Sequence, residues 1–124
     1  MANDPQLPNM TAVFSEIEQQ IVTLAETTVS NFKNQAISDA KNLVSTIKAD
    51  ISRWTNLLSA GQIKISEFEF LVGTEKSLIT MISLEQAGLA QLRIQNYLNG
   101  VLNIIIDVVL KKVIGNTVVP ALLV

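Results

Sequence analysis

Neither cysteine nor histidine occurs among the 124 residues. Without cysteine no disulfide can support the fold, and the sequence carries no mark of its redox compartment. With both residues missing, zinc and most transition metals lose their usual protein ligands. Ser-His-Asp and Cys-His arrangements cannot be assembled. Glycine-rich phosphate loops, nucleophile elbows and dinucleotide fingerprints are also absent. The expectation is a non-enzymatic protein with no catalytic residues, no cofactor and no metal.

Charge is scarce too. Charged residues make up 16% of the chain, against roughly 25% in typical domains, and Asn, Gln, Ser and Thr take their place. The net charge is −2, and Lys and Arg are scattered without a basic stripe or interleaved aromatics. No field recruits nucleic acid, so no nucleic-acid partner is expected.

Two of the three prolines fall in the first ten residues, MANDPQLPNM. This stretch has no basic start and no apolar core, so it is not a secretory signal. It reads as a flexible arm over 1–10, and a cytoplasmic location follows by default. The glycosylation triplet Asn9-Met10-Thr11 has no secretory context and reads as chance.

Residues 11–60 hold no Pro and no Gly. Apolar positions recur at Phe14, Ile17, Ile21 and Leu24, followed by a Thr28/Val29 slot, in the three-four steps of a coiled-coil heptad. Beyond the slot the seam runs Phe32, Ala36, Ala40, Leu43, Ile47, Ile51, Trp54, Leu58, closer to an eleven-residue period that would relax a left-handed supercoil. A continuous helix over 11–60, N-capped by Thr11, would be a rod of roughly 70 Å at 1.5 Å rise per residue.

Ser59-Ala60-Gly61 stops this helix. Ser66-Glu67-Phe68-Glu69 fits a capping box, with Ile65 placed to staple against Phe70. The turn over 61–65 is short enough to force an antiparallel hairpin. A second helix is predicted over 66–114, with Gly73 or Gly88 as possible breaks, Gly100 as a third interruption and Gly115 as C-cap. Folding about residue 63 sets Glu16 and Glu18 near Lys111 and Lys112, and Lys48 and Arg53 near Glu69 and Glu75. The fold class expected is all-α, a long antiparallel hairpin domain over 11–115 that packs into a four-helix or larger bundle by oligomerisation.

The stretch YLNGVLNIIIDVVLKKVI from Tyr97 to Ile114 carries more apolar surface than a two-helix hairpin can hide. This surplus points to a homo-oligomer or a helical protein partner. The expected interface is Trp54, Leu98, Val101, Leu102, Ile105, Ile106, Val109 and Leu110, with Asn99, Asn103 and Asp107 as a polar stripe that sets register. The plain alternative for that stripe is a wet side. The tail over 116–124, NTVVPALLV, is apolar and is expected to dock on its own bundle or on a partner.

Gly61, Ile63, Glu67 and Phe68 resemble the end of an EF-hand loop. The first, third and fifth ligand positions would be Asn56, Leu58 and Ala60, so the acidic ligands calcium needs are missing. Glu16/Glu18 and Glu67/Glu69 are spaced by two and point to different helix faces. The functional expectation is a structural, assembly or interaction module that self-associates through apolar helix faces. A membrane-associated protein is the alternative. A long hairpin with one greasy end resembles helical pore-forming toxins in architecture, yet no run of about twenty apolar residues is present to span a bilayer. A small helical enzyme or ligand carrier using the bundle interior ranks last.

Overall fold

The helical periodicity of the chain becomes five α-helices and two 3-10 turns in the computed structural model, which describes residues 9–115 and no strand among them. They are α1 (Met10–Thr28), a 3-10 turn (Ser30–Phe32), α2 (Lys33–Ser59), α3 (Ile65–Thr74), a second 3-10 turn (Glu75–Leu78), α4 (Ile82–Gln86) and α5 (Gln91–Gly115). The expected docking of the tail over 116–124 lies outside the described residues, as does most of the expected arm.

The predicted rod over 11–60 is two helices. Thr27 and Thr28 turn their hydroxyls back onto the carbonyls of Thr23 and Leu24, at 3.0 and 2.6 Å. Such back-bonding loosens a helix, and the Val-Ser-Asn that follows has weak helix propensity. Val29 leaves helical geometry with φ −139° and ψ 48°. The chain then reverses. Lys48 Nζ stands 5.2 Å from the Phe14 ring, while Lys33 pairs with Glu26 across the turn at 3.4 Å. Helices α1 and α2 therefore run antiparallel.

The predicted second helix is also divided, near both suspected glycines. α3 ends one residue after Gly73, and the stretch between the second 3-10 turn and α4 includes extended Ile79. Gly88 follows α4 with φ +90°, a conformation that a side chain strains. Gly100 does something different. A Cβ there would meet Leu24 Cδ2 at 2.9 Å, so the missing side chain lets α5 approach α1 closely.

Helix starts differ from the sequence reading by about two residues. Asn9, not Thr11, caps α1, its Oδ1 accepting from Ala12 N at 3.2 Å. α3 begins at Ile65, and Glu67, not Glu69, reaches back to accept from Lys64 N at 2.7 Å. The expected staple is not buried. Ile65 is 44% exposed and Phe70 71%.

α1 and α5 are antiparallel and tied at both ends. Glu16 accepts both Lys111 and Lys112, at 3.3 and 3.2 Å. At the far end Arg93 donates to Thr28 O at 2.8 Å, a cation at the α1 C-terminus where the helix dipole favours it. Between these clamps lies one apolar core. Val13, Ile17, Ile21 and Ala25 of α1 meet Ala36, Ala40, Ile47 and Ile51 of α2, with Val101, Ile105 and Val109 of α5 and Phe68, Val72 and Leu84 from the short helices.

Candidate functional site

The predicted interface residues belong to this core. Leu98, Val101, Leu102, Ile105 and Val109 are buried in the single chain, Trp54 is 8% exposed, and Ile106 and Leu110 are partly buried against them. The surplus counted on a two-helix hairpin is covered in cis, because the break at Val29 folds α1 back as an additional wall. Asn99, Asn103 and Asp107 are exposed. Their stripe is the wet side of α5, and within one copy it contacts no apolar layer whose register it could set. Trp54 sits beneath the Arg53 guanidinium, 5.8 Å from its ring.

The exposed apolar side chains lie elsewhere. Ile65, Phe70, Leu78, Ile82 and Leu92 are the large hydrophobics exposed among the described residues, and all fall between residues 65 and 92. Their positions follow from local geometry. In α3 and its 3-10 continuation, Phe68, Val72 and Glu75 turn inward, which leaves Phe70, Thr74 and Leu78 on the opposite side. Phe70 borders a shallow pocket of about 250 Å³ with Ile63, Ser66, Glu67 and Leu71. A second cleft is lined by Gly73, Thr74, Lys76, Ser77 and Gln95.

One carboxylate of α2 holds this segment in place. Asp39 is 5% exposed, and its two oxygens accept from Ser83 N and Leu84 N at 3.0 and 2.8 Å. It serves as the N-cap that α4 lacks in its own sequence, supplied from another helix. Beside it Tyr97 donates its hydroxyl to Ala36 O at 2.9 Å. Burial, helped by the Asp39 charge, pushes the Tyr97 phenol well above its ordinary range.

A second carboxylate of α2, Asp50, lies near the second 3-10 turn. It binds Arg53 at 2.8 Å, and its charge acts on Glu75, which is 7% exposed. Burial first, and then the Asp50 charge, raise the Glu75 carboxyl above the usual range, and Arg53 offsets this only in part. Sequence reasoning placed Arg53 near Glu75 but missed Asp50, to which Arg53 is bound. Lys48 turns to Phe14, and Glu18 lines a groove with Lys41 and Lys48 instead of meeting α5. At the other end the paired lysines hold the Glu16 carboxyl below the usual range.

No group of three or more acidic residues is placed to hold a metal ion among the described residues. Glu67, the apparent twelfth ligand of a calcium loop, is taken up by Lys64 N, and Phe68 is fully buried. No helix of the described residues is long and apolar enough to cross a membrane. Thr55 is fully buried, and its Oγ1 has no hydrogen-bond partner. The structure is an all-α protein with one core and a set of exposed apolar residues on α3, the second 3-10 turn, α4 and the start of α5. Comparison with protein-family models, curated proteins and solved structures finds no match to this chain.

Proposed function

We propose that this protein is a non-enzymatic interaction module that self-associates through the exposed apolar side chains of residues 65–92. The observation that carries the reading is the concentration of those side chains, with Phe70, Leu78 and Leu92 each more than two-thirds exposed. Isolated exposed hydrophobics are ordinary, but several large ones on one short stretch mark a contact surface.

A second copy is the occupant that the charges favour. Together with the flanking Lys64 and Arg93, the exposed ionisable residues of this stretch are three cations, the third being Lys76, against Glu67, Glu69 and Glu85. A surface balanced in this way can pair with itself across a two-fold axis. It attracts neither a strongly acidic nor a strongly basic partner, and it offers little pull toward anionic lipid. Burying three large side chains from each copy contributes on the order of 10 kcal/mol. Lost translational and rotational freedom offsets several kcal/mol of that, so association is expected at roughly micromolar to hundred-micromolar concentration.

Light scattering after size exclusion, over a concentration series, tests this. The mass of the wild-type protein should rise toward a dimer, and the double substitution Phe70→Ser with Leu78→Ser should hold it at monomer while leaving the helical circular dichroism intact. A wild-type monomer at every concentration would remove the proposal. Flotation with neutral and anionic vesicles separates the membrane alternative, which requires binding.

A further inference from the structure

We infer that the groove between α1 and α2 is a binding site for a small phosphate-bearing molecule, with Lys41 and Lys48 as its cations. Residues at helical steps of three and four share one face. On α2 those steps set Lys41, Ser45, Lys48 and Ser52 in one stripe, and on α1 they set Thr11, Ser15 and Glu18 in another. The two stripes meet across two adjoining cavities. One, of about 240 Å³, is lined by Phe14, Glu18, Lys41, Val44, Ser45 and Lys48. The other, of about 330 Å³, shares Phe14, Glu18 and Lys48 and continues to Met10, Thr11, Ser15 and Ser52.

The charges of this groove are left open by the fold. Lys33, Arg53, Lys111 and Lys112 pair with carboxylates at 3.4, 2.8, 3.3 and 3.2 Å. Lys41, Lys48 and Glu18 are exposed and form no ion pair among the described residues. Lys48 Nζ stands instead 5.2 Å from the Phe14 ring, which holds the ammonium where the two cavities join. Lys76 is also without an ion pair, but the cleft it lines has no second cation.

These groups select the ligand by charge and shape. Lys41 and Lys48 are two helical turns apart, about 10 Å along the axis, and their long stems reach a common group placed at Ser45 between them. Two ammonium groups suit a dianion, and a serine hydroxyl donates to a phosphate oxygen. Glu18 is the one anion lining either cavity, so the groove carries one net positive charge on a chain of net charge −2. The phosphate belongs at Lys41, Ser45 and Lys48. The organic part belongs in the larger cavity toward Met10 and Phe14, whose volume falls at the lower end of small-molecule sites. Every charged contact is exposed and screened by salt, so binding is expected at about millimolar concentration. The groove includes none of residues 65–92, and the site stands independently of self-association.

Amide NMR of the full chain tests this at about pH 7.5, where phosphate is largely dianionic. The titrants are inorganic phosphate, phenyl phosphate, and sodium chloride at matched ionic strength. Both phosphates should give saturating shifts over 11–18 and 41–52 that chloride does not, and phenyl phosphate should bind about threefold more tightly. Lys41→Gln combined with Lys48→Gln should abolish saturation while the helical circular dichroism is kept. Glu18→Gln removes the opposing charge and should tighten binding about threefold. Chloride that reproduces the phosphate shifts, shifts centred on Lys76, or a double variant that still saturates would overturn the site. So would a Glu18→Gln protein that binds no more tightly than wild type, a result that decides even where the double variant fails to fold. Equal affinity for the two phosphates would overturn the placement of the organic part.

Discussion

Replacing Asp39 with alanine removes both hydrogen-bond acceptors from the N-terminus of α4 and leaves Ser83 N and Leu84 N without them. Loss of an N-cap costs about 0.5–2 kcal/mol, and hydrogen bonds to a charged partner about 1.5–3 kcal/mol each. Ser83 is only partly buried, so water recovers some of its share. The expected loss is about 2–3 kcal/mol. At roughly 2.1 cal/mol/K per residue, the 124-residue chain has an unfolding entropy of about 0.26 kcal/mol/K. Its thermal midpoint should therefore fall by about 8–11 °C. Asp39→Asn keeps one acceptor and should lose about 1 kcal/mol. Urea unfolding gives the free energies, and amide exchange at Ser83 and Leu84 localises the effect. An Asp39→Ala protein within about 0.5 kcal/mol of wild type, with those two amides unchanged, would refute the claim that α2 organises the short helices.

Three further outcomes are expected. Thr55→Val exchanges a buried hydroxyl without a partner for a methyl of similar size, and should raise stability by about 1 kcal/mol in urea unfolding. Gly73→Ala meets no atom within 4 Å in a helical, exposed setting, whereas Gly88 holds φ +90°. The first should stabilise and the second destabilise, each by about 1 kcal/mol, and equal effects would contradict the assigned backbone. Lys111 and Lys112 depress Glu16, so its contribution is present above the ordinary carboxylate range and disappears as pH falls through its lowered value. Exchange in the last turns of α5 should accelerate in acid, and Glu16→Gln should show that faster exchange already at neutral pH.

The sequence made some of this visible because certain signals are local or electrostatic. Ser59-Ala60-Gly61 stops α2 on schedule, and Gly61 adopts φ +76° as such a stop requires. Glu16 meets Lys111 and Lys112 although the hairpin that suggested the pairing is broken, because α1 and α5 still run in opposite directions with their ends matched. The break at Val29 left a trace in the change of apolar period at the Thr28/Val29 slot. Period alone cannot separate a supercoil adjustment from a reversal, since both move the buried stripe around the helix. The composition TTVSN held the deciding information through side chains that compete for backbone carbonyls.

That one reversal accounts for most of what the sequence reading misplaced. An unbroken first helix can cover one side of α5, while a folded one offers α1 and α2 as separate walls. Leu98, Val101 and Val109 thus pass from expected interface to core, and Asn99, Asn103 and Asp107 become solvent-facing. Phe70 and Leu78 were unreadable as a surface for a related reason. Their outward direction depends on Glu75 and Val72 turning inward against α2, which is a tertiary choice. Asp39 was hidden for the same cause, because a cap supplied from 44 residues away has no local signature.

The central claim is that α5 is sequestered within one chain while residues 65–92 present the surface left for contact. Hydroxyl-radical footprinting across a dilution series measures both at once. Leu98 and Leu102 should remain protected at every concentration, and Phe70, Leu78 and Leu92 should be labelled when dilute and shielded when concentrated. Labelling of Leu98 and Leu102 that rises on dilution, with Phe70 and Leu78 indifferent to concentration, would contradict it.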